Sequence, residues 1–191
     1  MRKAEFKRKT KETDISVNLC LDGGDIEIST GIGFFDHMLE ALAKHGGFGL
    51  KVSAKGDLQV DGHHTVEDVG IVLGKAFSQA LADKGGIARY SSKFIPMDES
   101  LAFCSVDISG RPFLVFEASF EEAAVGEFDT CLTEEFFRAF AFNAGITLHL
   151  SVVYGQNAHH EIEALFKAAA HALREAAVVT GETLSTKGSL E

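Results

Sequence analysis

Two short stretches carry most of the chemistry this chain can do. Asp61-Gly62-His63-His64-Thr65-Val66-Glu67 and Asn157-Ala158-His159-His160-Glu161-Ile162-Glu163 align at a constant offset of 96 residues. On a helix, positions i and i+4 share one face, so His63 with Glu67 and His159 with Glu163 can each grip one cation. The second histidine of each pair is turned roughly 100° away by the helical period, which leaves His64 and His160 to reach another site. A symmetrical scheme follows, in which each repeat's His and Glu bind one metal while its other His completes a second. Two further histidines fit the scheme. In Thr147–Tyr154 the leucines and Val152 share one face of a strand and leave His149 off the core face, and His45, ending a helix that begins near Asp36 and stops at Gly46-Gly47, stands as its counterpart in the first half. Six imidazoles and two carboxylates over two ions give each ion three histidines and one glutamate, with open positions in an octahedral shell. No cysteine joins the cluster, which argues against structural zinc, while mixed imidazole and carboxylate suits Mn, Fe, Ni or catalytic Zn. A lone histidine near a helix start is ordinarily a capping or surface residue; it is the joint pattern, repeated, that argues for metal. His171, in Ala-rich surroundings well past the ligating turn, reads as a packing or surface residue.

The elements that must position these residues follow from periodicity. Ile15, Val17, Leu19 and Leu21 alternate with polar positions and Cys20, Asp22-Gly23-Gly24 supplies a turn, and Ile26 and Ile28 resume the alternation, predicting a β-hairpin. Ala102, Cys104, Val106 and Ile108 alternate likewise before Ser109-Gly110-Arg111-Pro112 turns the chain into Phe113 to Phe120, a second hairpin. Each hairpin is followed by a helical stretch with a double Phe, Phe34-Phe35 or Phe136-Phe137, and then by a strand leading into a His-His helix. Those last helices are predicted over Val66–Leu81 and Ile162–Val179, with Asp61 and Asn157 as N-caps. The chain thus reads as a single domain over residues 1–191, built from two similar halves, about 1–95 and 96–191, that share one core.

Composition bounds the function. With 46% hydrophobic residues in 191, the chain can bury a proper core and is not disordered. A net charge of -10, from 28 acidic and 18 basic residues, argues against a nucleic-acid partner, so a small anionic ligand must find a local basic cluster. No apolar run is long enough to span a membrane, and Met1–Lys9 has charges with no apolar segment behind them, so neither a membrane location nor a secretory signal is expected. Cys20, Cys104 and Cys131 are an odd number at wide spacing and read as small core residues of a reducing, cytoplasmic compartment.

The motifs together resemble the imidazoleglycerol-phosphate dehydratases. The matching segments are Thr10-Lys11-Glu12-Thr13, Gly33-Phe34-Phe35-Asp36-His37-Met38-Leu39 with His45-Gly46-Gly47-Phe48, and Asp61-Gly62-His63-His64-Thr65-Val66-Glu67-Asp68. They continue through Pro96-Met97-Asp98-Glu99, Ser109-Gly110-Arg111-Pro112, His159-His160 with Glu163 and Phe166-Lys167-Ala168, and Ser185-Thr186-Lys187-Gly188. Ala88 departs from the pattern, where the family often has a further Arg, and Glu121 to Thr133 is not diagnostic. The resemblance implies an α+β fold of the ribosomal S5 domain 2-like kind, a duplicated half-domain with two four-stranded sheets and helices packed between them. It implies a homo-oligomer of 24 copies, two Mn²⁺ per active site, and sites formed where chains meet. The implied reaction removes water from imidazole glycerol phosphate to give imidazole acetol phosphate, through a metal-bound imidazolate and a diazafulvene intermediate. By the same resemblance Glu12 is the leading acid/base residue, with Glu163 a secondary participant, and His37 is a substrate contact rather than a ligand. Arg89, Arg111, Ser185 and Lys187 match phosphate contacts, with Lys167 lining the same pocket, and His45, His63, Glu67 and His159 face the substrate as well as the metals. The rival readings are a dinuclear hydrolase of a phosphorylated metabolite, which would ordinarily bridge its ions with a shared carboxylate, and a metal-storage shell, which leaves Glu12, Arg89, Arg111 and Lys187 without a task.

Overall fold

The structure is a computed structural model and describes residues 1–186. The first half runs β1 (Lys3–Lys9), β2 (Thr13–Cys20), β3 (Ile26–Ser29), α1 (Gly33–Gly46), β4 (Gly49–Gly56) and α2 (His63–Leu81). The second runs β5 (Tyr90–Met97), β6 (Ser100–Asp107), β7 (Phe113–Glu117), the two-residue strands β8 (Ala124–Val125) and β9 (Phe128–Asp129), α3 (Leu132–Ala144), β10 (Thr147–Tyr154) and α4 (Ala158–Ala176). Two four-stranded sheets result, ordered β1-β2-β4-β3 and β5-β6-β10-β7, so the halves repeat one topology. Helices α1 and α2 pack on the first sheet and α3 and α4 on the second, while α2 meets α3 and α1 meets α4 across the middle. The expected α+β duplication is what the chain adopts.

Strand pairing differs from the hairpins that alternation predicts. β2 and β3 are not partners: β4 lies between them, antiparallel to β2 and parallel to β3, with Val17 opposite Val52 and Ile28 opposite Val52 on its other side. β10 separates β6 from β7 in the same way. The reason is the helix that follows each pair: a strand, crossover helix and returning strand make a parallel unit, and the returning strand takes the central place where it is hydrogen-bonded on both edges. Alternation tells which face of a strand is buried, not which strand lies beside it. The true hairpins are β1-β2 and β5-β6. β7 also ends at Glu117 rather than continuing to Phe120.

Helix ends are set by local chemistry. Gly47 adopts a left-handed conformation (φ 66°) and its N–H donates to Ala43 and Lys44 carbonyls, ending α1 as predicted. Asn157 caps α4 by accepting from the His160 N–H at 3.2 Å. Asp61 sits one residue before the cap position of α2, which is Gly62, and accepts instead from the His63 N–H at 2.8 Å. α4 stops at Ala176 rather than Val179, because Val179 leaves the helix to form a bridge with Ile87.

The core joins the halves. Phe136 is fully buried, stacks on Phe166 of α4 at 5.2 Å and meets Phe35 of α1 edge-on at 5.4 Å. α2 and α3 approach closely because Gly70 and Gly74, one turn apart, present no side chain: a Cβ on Gly74 would lie 2.6 Å from the Phe140 carbonyl oxygen, and one on Gly70 2.8 Å from that of Phe136. Cys104 is buried as expected, but Cys20 is half-buried and Cys131 exposed, and all three thiols are free. No helix among the described residues is long and apolar enough to cross a membrane.

Candidate active site

The first turn of α4 supplies the most compact ligand set. Because α1 packs on α4, His37 comes beside the His159–Glu163 face: His159 Nε2 lies 3.2 Å and His37 Nε2 3.4 Å from Glu163 Oε2. Among the described residues, His37, His159 and Glu163 are the one group whose three ligand atoms converge closely enough to hold a metal ion. Two imidazoles and a carboxylate are a donor set that suits a divalent transition metal and leaves positions open for other ligands. Burial pushes the Glu163 carboxyl up, but Lys167, through a 2.6 Å hydrogen bond and its charge, together with His37 and His159, outweighs that and holds it below the usual range. Glu163 is therefore a carboxylate ready to ligate. Lys167 also reaches Met97 Sδ at 3.4 Å. Its ion pair is with Glu163, one turn earlier on α4.

α2 repeats the pattern more openly. His63 Nε2 is 3.8 Å from Glu67 Oε2, both about half-exposed. His64 turns to Asp57, whose two oxygens lie 3.2 and 3.1 Å from Nδ1. The His64 imidazolium is favoured above its ordinary pKa chiefly by the Asp57 hydrogen bond, against desolvation, and further by the charges of Glu12, Asp57 and Asp61. Glu12 is thus close to this cluster although it sits in the exposed β1-β2 turn. The turn is pinned to α2: Asp68 accepts from Thr13 Oγ1 at 2.5 Å and from Arg8 Nε at 2.9 Å, and the Thr10 hydroxyl accepts from the Glu12 and Thr13 N–H groups. The helix that offers His63, His64 and Glu67 therefore also anchors the turn that carries Glu12.

Two expected ligands stand elsewhere. His149 is exposed between buried Leu148 and Leu150, so it points away from the face of the sheet on which α4 packs and cannot meet His159 within one chain. Nor are His45 and His149 counterparts, since the fold equates α1 with α3 and β4 with β10. His45 faces a pocket of about 350 Å³ shared with His37, Glu40, Lys44, Glu163 and Lys167, and its ring lies 5.4 Å from that of His171. Burial, the Lys167 charge and His171 hold its imidazolium below the ordinary range. His171 is thus a packing partner of His45. Asp36 accepts from the Thr30 N–H and hydroxyl at 2.8 and 2.6 Å, fixing the turn that leads into α1.

The basic residues gather at the opposite end of β6. Asp107 accepts from Arg89 Nε at 2.7 Å and Nη2 at 3.2 Å, and from Arg111 Nη2 at 3.1 Å, which holds two guanidinium groups together. Arg89, 8% exposed and in a left-handed conformation (φ 73°), also donates to the Leu184 carbonyl and so ties down the segment that carries Ser185. Arg111 is mostly exposed and has donors to spare. Lys187 lies outside the described residues.

Sequence reasoning missed three contributors, Asp107, Asp57 and Glu99, and placed His37 as a substrate contact outside the ligand group. His37 enters the ligand group only through helix packing, and Asp107 only through strand register. Asp57 carries no local signal. Glu99 stood inside a quoted motif without a role, and proves to bind His160 Nδ1 at 2.8 Å; that hydrogen bond above all, with backbone and Ser100 donors against a desolvation cost, draws its carboxyl down to about 2.

Residues 30–173 match the family model described as imidazoleglycerol-phosphate dehydratase. A Clostridium kluyveri protein of that name is 59% identical over 194 residues, with all of both chains covered. Crystal structures of the Staphylococcus aureus and Pyrococcus furiosus enzymes are 43% and 38% identical, with TM-scores of 0.85 and 0.86; they cover 93% and 96% of this chain and 100% and 99% of their own. With identity sustained over the full length and the fold held in common, the chain belongs to the imidazoleglycerol-phosphate dehydratase family of enzymes.

Proposed function

We propose that this chain is a metal-dependent lyase of histidine biosynthesis that dehydrates imidazole glycerol phosphate to imidazole acetol phosphate, with two Mn²⁺ per active site. The observation that carries the reading is the convergence of His37 from the first half with His159 and Glu163 from the second, together with the matching His63–Glu67 pair on α2 and Glu12 near its neighbour His64. The reaction must expel hydroxide from the carbon attached to the imidazole and take a proton from the carbon next to it, which has no carbonyl beside it to hold the charge; bound divalent ions would supply Lewis-acid stabilisation of the charge that develops on the ring. The chain's own residues do the rest. His63, His64, Glu67, His159, His160 and Glu163 offer the ligand atoms, with His37, His45 and His149 as further donors. Glu12 exchanges protons at the glycerol carbons, and Arg111, oriented by Asp107, grips the phosphate with Arg89, Ser185 and Lys187. Turnover of imidazole glycerol phosphate by Mn²⁺-loaded protein, absent after chelation, tests this; hydrolytic release of phosphate instead would favour the dinuclear hydrolase.

A single chain gathers three ligands in one place and leaves the His63–Glu67 pair and His149 elsewhere on its surface. We infer that neighbouring copies complete each ion's shell, in a cytoplasmic homo-oligomer of 24 chains as in the family resemblance. Chelation is therefore expected to shift the protein to smaller species in light scattering, and Mn²⁺ to restore the large one. Full activity of a metal-free monomer would remove shared sites.

The phosphate grip has its own test. Arg111→Ala deletes a charge-assisted contact of about 1.5 to 3 kcal/mol, so kcat/KM is expected to fall by roughly 10- to 150-fold with metal content unchanged. Most of the loss belongs in KM if phosphate is a uniform handle, and in kcat too if it aligns the glycerol carbons with Glu12. Unchanged kinetics would place the phosphate elsewhere.

A further inference from the structure

The second histidine of each pair has a carboxylate on the same ring nitrogen, supplied in each half by a different part of the chain. His64 Nδ1 faces Asp57, seven residues earlier at the end of β4, at 3.1 and 3.2 Å. His160 Nδ1 faces Glu99, 61 residues earlier in the β5-β6 turn, at 2.8 Å. The two carboxylates are not equivalent by the internal repeat, so the halves reach one arrangement by separate routes. Each is held in place. The Asp57 side chain is largely buried, and Glu99 accepts from Ser100 Oγ at 3.0 Å and from the Asn157 N–H at 3.1 Å, the residue that caps α4.

A carboxylate can only accept, so the proton of a neutral imidazole beside it sits on Nδ1 and the lone pair on Nε2. Carboxylates in this position fix the ring and raise the basicity of the ligating nitrogen. We propose that Asp57 and Glu99 are positioning residues that lock His64 and His160 with Nε2 left as the metal-ligating atom; His160 Nε2 itself lies 3.7 Å from the exposed Asp98 carboxylate. The inference rests on the metal-dependent reading above and adds to it which nitrogen binds and what holds it there. It also explains why two acidic side chains with no place in the ligand count lie against the two histidines that face away from their own repeat's Glu.

The test uses the full-length protein, stripped with a chelator and titrated with Mn²⁺ alone, free Mn²⁺ being followed by electron paramagnetic resonance. Asp57→Ala and Glu99→Ala are each expected to weaken Mn²⁺ binding by roughly 10- to 100-fold. Asp57→Asn and Glu99→Gln, whose amide oxygen still accepts from Nδ1–H, should recover much of that loss, a rescue that a general packing defect would not show. These amide variants also keep the question open to measurement should an alanine variant fail to fold. If the unaltered protein binds no Mn²⁺, the metal reading and this inference fall together. If His64→Ala and His160→Ala weaken Mn²⁺ binding while all four carboxylate variants bind as tightly as the unaltered protein, the metal reading stands and the positioning role is lost.

Discussion

Glu12→Gln is expected to lower kcat by roughly 10²-fold or more, the usual scale for removing a general acid or base, while Mn²⁺ content stays the same. The substitution keeps the size of the side chain and leaves the turn intact, because that turn is held by the Glu12 N–H, the Thr10 and Thr13 hydroxyls and Asp68 rather than by the Glu12 carboxylate. What it removes is the capacity to take and return a proton beside His64, whose charged form the Glu12 carboxylate favours. The position is exposed, so folding should be untouched. Stopped-flow or steady-state assays with elemental analysis of the same sample check it. A Glu12→Gln protein with normal turnover would reduce this residue to a surface charge and send the proton transfer to a metal-bound water.

Phe136→Ala is expected to cost about 3 to 5 kcal/mol of folding stability, near the top of the range for a single core truncation. The ring is fully buried, stacked between Phe140 at 6.3 Å and Phe166 at 5.2 Å, with Phe35 and Phe137 edge-on at 5.4 and 5.1 Å. Neighbours this rigid cannot collapse into the space, so a cavity remains and the lost contacts are not remade. Phe35 comes from the first half and Phe166 from the helix that carries His159 and Glu163, so the substitution also loosens the seam that brings His37 to them. Denaturant unfolding at fixed protein and metal concentration measures the loss. A change under 1 kcal/mol would mean that the seam is not where stability resides.

Much of the site is legible along the chain because it is local. The pairing of His63 with Glu67 and His159 with Glu163 needs only the helical period, and the outward turn of His64 and His160 follows from the same geometry. Alternation likewise marks the buried faces of β2, β6 and β10, and Gly47 marks the end of α1. These features depend on contacts within a few residues, where backbone geometry leaves little choice.

Tertiary structure decided everything that depends on which element lies beside which. Alternation could not say that β4 and β10 would enter between strands that read as hairpins, since a pleated strand has the same faces whatever its partner. His149 was rightly placed off the core face, but only the layering of sheet and helix shows that this face looks away from the His159–Glu163 turn of its own chain. His37 joins His159 and Glu163 because α1 packs on α4, Glu99 reaches His160 across 61 residues, and Asp107 gathers two arginines through strand and turn geometry. The physical reason is common to all of them: a side chain's direction is set by its neighbours in sequence, whereas its partner is chosen by the packing of apolar faces that carry no address in the chain.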